Sequence, residues 1–272
     1  MDEKVTRLLE WIKNTVDVDH EPSTHSYILP KIKVKDDAEW GRGIYACSPV
    51  RSHELLVRIP PSFLLNYTTV VCHITSFNPD IVLLDPHYLK IYVPRGHTDI
   101  ISDSIYQKLS MESLTNLSSF QILSMFITLE LKRIEISWWK PFLDMLPSMN
   151  DFQSMPLVWK VLKTDDDLIQ YLPPSTRRHA EKVANRFESD YKTVFNLLSS
   201  LVEQNTLEFL PIDKFLWAWL CINSRCLYMD IPQKKSTTDN FTMAPYVDFL
   251  NHSPEDQCIL KIETSGFQVL TG

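Results

Sequence analysis

The sequence predicts an α+β fold in which a β-rich domain is split by a long helical insert. Three observations predict it. Short β-branched and aromatic runs fill residues from about 27 to 95, and three-four apolar spacing dominates from there to about 231. After Asp230 a polar stretch, "PQKKSTTDN", leads into β-like runs again over 232–272. The expected divisions are therefore 1–95, an insert over 96–231, and 232–272.

Taken in order, residues 3–16 place Val5, Leu8, Leu9, Ile12 and Val16 on one face, the pattern of an amphipathic helix. The runs "YILPKIKVK", "GIYACSPV", "ELLVRIP" and "YLKIYVP" are broken by prolines and charges, as in small curved sheets. Ser118 three residues before Gln121 forms a capping-box signature opening "SSFQILSMFITLELKR". Pro173-Pro174-Ser175 starts a second helix, whose apolar spacing persists through residue 202. Pro211 and Asp213 start a third, "PIDKFLWAWLCINSRCLYM", with Trp217, Leu220 and Cys221 expected on its buried side. "FTMAPYVDFL", "CILKIE" and "GFQVL" read as the returning strands.

Composition excludes several classes. With 272 residues, 44% of them hydrophobic, the chain can bury a large core, and no 18-residue apolar run suggests a membrane span. The acidic amphipathic start is unlike a signal peptide. Five scattered cysteines without a CxxC pair read as reduced thiols of a cytoplasmic or nuclear protein, and not as a zinc site. The sequons at Asn66, Asn116, Asn240 and Asn251 would then stay unglycosylated. A net charge of −7 argues against nucleic acid as a partner and suits a basic protein segment, although solubility accounts for it equally well.

Three short stretches stand out chemically. "EWGRGIYA" concentrates two of the chain's 5 glycines, Gly41 and Gly43, where a backbone can turn or approach a ligand closely. "NSRCLYM" puts Ser224 and Arg225 where the chain leaves an apolar helix; Arg225 suits either a surface ion pair or a carboxylate ligand. "DFLNHS" carries Asp248, Asn251, His252 and Ser253. Neighbouring residues cannot face one another as a catalytic triad, no GxSxG elbow occurs, and no further His or Cys lies at metal-ligand spacing, so hydrolase and metal readings fail.

In this order, "GRG", a helical insert, "NSRC" and "DFLNHS" resemble a SET-domain methyltransferase. The insert segments "SWWKPFLDMLP", "MPLVW", "LPPSTRR" and "ESDY" resemble the subgroup typified by Rubisco large-subunit methyltransferase, which includes fungal enzymes acting on ribosomal proteins and elongation factors. The resemblance implies a split SET domain with the family's inserted helical region. It also implies S-adenosylmethionine as cofactor and a protein lysine of the translation apparatus as acceptor. Matched position by position, Trp40, Gly41, Arg42 and Gly43 would lie along the cofactor through their backbone. Ser224 and Arg225 would contact it, with the Arg fork suited to its carboxylate. Asn251 and His252 would hold its amino-acid and adenine parts, with Asp248 an acid beside the pocket.

The family's catalytic tyrosine comes from a Tyr-Gly motif downstream of the Asn-His pair. No Tyr follows Tyr246 here, so that residue is expected beyond Gly272, together with the family's C-terminal helical lobe. The corresponding expectation is that residues 1–272 alone transfer no methyl group. Two other readings stay open from the sequence: a non-catalytic SET-like binding module, and a histidine-directed methyltransferase of the same fold.

Overall fold

The computed structural model describes residues 2–13, 25–38, 41–78, 81, 91, 93–96, 100–202, 206–229, 240–251, 257–263 and 266–272. Among these residues, nine short strands form three antiparallel sheets. β1 (Tyr27–Ile28), β4 (Leu55–Ile59), β9 (Gly266–Leu270) and β8 (Ile259–Glu263) make the largest, in the order β1-β4-β9-β8. β2 (Ile32–Asp37) and β3 (Gly41–Ala46) form a hairpin of their own. β5 (Leu65–Asn66), β7 (Phe241–Met243) and β6 (Cys226–Tyr228) form the third, with β7 central. Two of these sheets pair strands from opposite ends of the chain. Val57 faces Val269 and Ile59 faces Phe267 in one, and Leu65 faces Met243 in the other.

Between β5 and β6 the described chain is helical, but the helices begin earlier than the sequence suggests. Residues Tyr67–Thr75, within the stretch read as β, form a helix buried along its whole length. Its β-branched run "TTVV" hid it. Asn66 decides the matter by accepting the Thr69 N–H while the Thr69 hydroxyl takes the Asn66 N–H, a reciprocal cap on the first turn. The run "YLKIYVP" falls mostly outside the described residues, and its described members lie in no strand.

The three long helices form where expected, at Ser119–Lys132, Pro174–Leu201 and Ile212–Arg225. The Ser118–Gln121 capping box is present in both directions. Trp219 is the fully buried indole of the third helix, whereas Trp217 is only half-buried. Trp219 joins Phe187 and Phe120, and its N–H donates to Asp190 at 3.0 Å, whose other oxygen takes the Gln121 amide at 2.9 Å. One carboxylate of "ESDY" thus ties all three helices. Helix Ile212–Arg225 stops where Cys226 turns extended, so "CLY" becomes β6 rather than a last helical turn.

The N-terminal helix, Glu3–Lys13, buries Val5, Leu8, Trp11 and Ile12. Trp11 packs on Phe63 and Trp138 at 4.9 and 4.8 Å, and Trp138 on Trp139 at 4.8 Å, so "SWW" receives the helix. Side chains this large each contribute several times what a buried methylene does, roughly 0.8 kcal/mol.

A polar cluster sits inside the insert. Glu130 is fully buried and accepts from Tyr106 Oη at 2.8 Å and from the Ser137 hydroxyl, while Arg133 pairs with Asp103 at 2.8 Å. His73 lies in the same enclosure, 3.8 Å from Glu130, with neither ring nitrogen hydrogen-bonded among the described residues. Burial, then the charges of Arg133 and Arg95, push its pKa down to about 3, so it is folded as the neutral imidazole. The folded value lies below the ordinary 6.5, so the unfolded chain binds the proton more readily and stability falls as pH drops from about 6.5 toward 3. Replacing His73 with Phe, which suits its cage of Phe77, Tyr106 and Phe126, should remove that contribution. Denaturant unfolding at pH 7.5 and pH 5.0 should show the native chain losing more stability than His73→Phe, by up to about 1.4 kcal/mol per pH unit. Equal losses would show that His73 does not titrate on unfolding.

Candidate cofactor cleft

The hairpin of β2 and β3 sets the first wall of the site. Its register pairs Asp37 with Gly41, Asp36 with Arg42 and Lys35 with Gly43. Gly41 has φ +72° at the start of β3, a backbone that a side chain would strain, and open space around its α-carbon. Gly43 serves a different need. A Cβ there would stand 2.6 Å from both amide atoms of the Asn251 side chain, so "GRG" and the Asn of "DFLNHS" pack against each other. These segments are over 200 residues apart in sequence.

Arg42 points its guanidinium to carboxylates. Its Nε donates to Asp36 at 2.8 Å and its Nη2 to Asp2 at 2.7 Å, and the Asp36 hydrogen bond chiefly raises its pKa. Asp2 also accepts the Lys4 N–H, capping the N-terminal helix, so that helix is fastened to the glycine strand. Trp40 and His252, the other two residues expected here, lie outside the described residues.

The second wall is the C-terminal end of helix Ile212–Arg225. Ser224 is exposed, and its hydroxyl donates back to the Leu220 and Cys221 carbonyls at 2.9 and 3.3 Å. Its oxygen is free only as an acceptor for anything in the cleft. Arg225 is the last helical residue, where a cation is favoured by the helix dipole. Its Nη1 lies 3.4 Å from Asp248 Oδ2. The pair stands between the two possibilities that spacing left open: partly buried, and already holding a carboxylate of the protein itself.

"DFLNHS" does not end a strand. β7 stops at Met243, and Val247–Phe249 is a 3-10 turn. Pro245 supplies no N–H to continue the ladder, and the buried Tyr246 takes φ 69°, ψ −39°, reversing the chain. A bulky residue in that region is costly and is held only by its surroundings. The turn aims the Asp248 carboxyl inward, 10% exposed, with Oδ1 lacking any hydrogen-bond partner among the described residues. Burial lifts its pKa to about 6, against the opposing pull of Arg225.

Arg42, Ser224, Arg225, Asp248 and Asn251 therefore line one open cleft of about 1450 Å3. Its far rim comes from the insert: Met145, Leu146, Pro147, Phe152 and Met155, with Leu260 of β8 alongside. No rim residue was singled out individually from the sequence, yet most fall in "SWWKPFLDMLP" and "MPLVW", the segments that carried the resemblance. Asp2 and Asp36 were missed too; the hairpin register would have placed Asp36 opposite Arg42. Among the described residues there is no cluster of side chains fit to hold a metal, and no helix long and apolar enough to cross a membrane.

The fold is that of a SET domain. The chain superimposes on the SET domain of LSMT bound to lysine and AdoHcy with a TM-score of 0.59 at 13% identity, over 100% of this chain and 50% of that one. Rubisco LSMT bound to AdoMet gives 0.60 at 14% identity, over 99% and 50%. Within the class, the chain is a relative of ribosomal lysine N-methyltransferases. It is 32% identical to ribosomal lysine N-methyltransferase 2 of Saccharomyces cerevisiae over 93% of this chain and 57% of that protein. It is 27% identical to ribosomal lysine N-methyltransferase set11 of Schizosaccharomyces pombe over 90% and 49%, and 23% identical to human SET domain-containing protein 4 over 85% and 46%. No family model matches the chain. The chain thus spans about half the length of the curated relatives it matches.

The two glycines should respond differently to alanine. Gly41→Ala meets no atom but forces a side chain onto positive φ, and should cost about 1–2 kcal/mol. Gly43→Ala must displace the Asn251 amide, so its cost should largely disappear in an Asn251→Ala background, a coupling of at least about 0.5 kcal/mol by double-mutant cycle. Strict additivity would show that the two residues do not touch.

Proposed function

We propose that this chain is the SET portion of an S-adenosylmethionine-dependent protein-lysine N-methyltransferase whose acceptor is a lysine of a ribosomal protein. One observation carries the reading. Arg42, Arg225, Asp248 and Asn251, from three distant segments, line a single cleft within a SET fold, and Gly43 packs against the Asn251 side chain beside it. The names of the yeast relatives support the ribosomal acceptor.

The residues present fit the cofactor. An exposed Asn251 and a half-buried Arg225 fork in one open cleft offer a polar amide and a carboxylate-binding cation where a zwitterionic nucleoside would need them. When bound, S-adenosylmethionine supplies an activated methyl group on a sulfonium. An acceptor lysine that had lost its proton to water would take that methyl group as a methylammonium, with neutral S-adenosylhomocysteine as the leaving product. The chain's part is to hold the acceptor in line and exclude water, which is where most of the acceleration in such a displacement arises. The insert rim from Met145 to Met155 is the apolar side of that enclosure.

The acceptor belongs to the translation apparatus, and the reaction to the cytoplasm or the nucleus, where its proteins are made and assembled. Elongation factors are the second acceptor class, and the same assay separates them. Radiolabelled methyl transfer by the full-length protein, into ribosomes and soluble factors from cells lacking it, should label a ribosomal protein at lysine. Labelling of a soluble factor, or of histidine, would correct the acceptor. No transfer despite cofactor binding would favour the non-catalytic module.

Asn251→Ala and Arg225→Ala should each weaken S-adenosylmethionine binding by about tenfold, since each removes a polar contact in a partly desolvated cleft. Unchanged calorimetric affinity in both would refute this use of the cleft.

A further inference from the structure

We infer that Asp248 holds Arg225 in place of the ligand carboxylate, and yields it when a carboxylate-bearing ligand enters the cleft. The inference rests on the proposed use of the cleft and gives Asp248 the part of a positioning residue, in place of direct contact with the cofactor.

The geometry of the pair argues for exchange. Its contact, Arg225 Nη1 to Asp248 Oδ2, is 3.4 Å, longer than the roughly 2.7–2.9 Å of a well-made charge-assisted hydrogen bond. It uses one nitrogen of the fork, and among the described residues Arg225 makes no other side-chain hydrogen bond. The other carboxylate oxygen, Oδ1, is buried without a hydrogen-bond partner among the described residues. Both residues line the same cleft, and Arg225 is 36% exposed to it while Asp248 is 10% exposed. The exposed part of the guanidinium is open to a carboxylate from solvent, which can take it bidentately.

Once it does, a second carboxylate stands near Asp248, and Arg225, the one cation paired with Asp248 among the described residues, is engaged. The other groups facing Asp248 offer no replacement. Cys221, on the helix with Arg225, is kept neutral because burial raises its thiol pKa. On β3, against which the Asp248 turn packs, Arg42 is held by Asp2 and Asp36. Two carboxylates in such surroundings resist being ionised together, so Asp248 takes up a proton. Its pKa, already raised to about 6 with Arg225 beside it, makes that uptake accessible near neutrality.

The test is calorimetric titration of the full chain with S-adenosylmethionine and with methylthioadenosine, which lacks the carboxylate. Titrations run at pH 5.5 and 7.0, in buffers of different ionisation enthalpy. The native chain should take up a proton on binding S-adenosylmethionine at pH 7.0, up to about one. It should bind roughly threefold to tenfold more tightly at pH 5.5. Asp248→Asn should bind S-adenosylmethionine more tightly than the native chain at pH 7.0, with that uptake abolished, and methylthioadenosine should show neither effect. Tighter native binding at pH 5.5 needs no substitution, so the proposal stays testable if the variant misfolds. Weaker binding by Asp248→Asn, or the same proton uptake with both ligands, overturns the proposal while leaving the cofactor reading intact. Failure of the native chain to bind S-adenosylmethionine at either pH removes both.

Discussion

The pairing of strands from opposite ends of the chain is the constraint on which the rest of the molecule depends. β4 meets β9 and β5 meets β7, and the seam continues past the strands where Thr271 N donates to Glu54 O and Glu54 N to Thr271 Oγ1. That seam brings the turn carrying Asp248 and Asn251 up to the glycine hairpin. β6, next to β7, fixes the end of the helix bearing Arg225. Without it, Gly43 and Asn251 have no reason to touch.

The molecule contains two very different polar sites. Around Glu130, burial is nearly complete, and Tyr106, Ser137 and Arg133 surround the carboxylate, while His73 has no hydrogen-bond partner among the described residues. Such a cluster fixes helix positions. Around Asp248 the carboxyl is nearly as buried, yet it has one long contact and an unused oxygen, and it opens to a cleft. The contrast separates architecture from chemistry: a network that closes on itself locks a core, and one left incomplete beside an opening is available to a ligand.

What was legible in the sequence follows the range of the interactions. The Ser118–Gln121 cap, the proline starts at 173–174 and 211, and the apolar stripes are set within a few residues, and each stands where periodicity placed it. The helix at Tyr67–Thr75 escaped because its composition is β-like and its cause is a single asparagine. Trp219, which the spacing did not single out, is the buried indole in place of Trp217, because neighbouring aromatic residues leave the facing of a helix ambiguous until its partners are known. In the cleft, the motifs "GRG", "NSRC" and "DFLNHS" located the walls. The Arg225–Asp248 contact, Arg42's two carboxylates and the turn at Tyr246 depend on packing between distant segments, which no local pattern encodes.

The seam between β4 and β9 also sets the order of events during synthesis. Loop-closure cost grows only slowly with length, but β4 cannot find its partner until some 200 further residues have left the ribosome. Helices such as Ser119–Lys132 and Pro174–Leu201 can form meanwhile from local contacts. Through that interval Leu55–Ile59, one of the most apolar strands, has an unpaired edge. Nascent chains of this protein are therefore most exposed to edge-to-edge association just before β9 emerges, and a chaperone that shields β4 would act within that window.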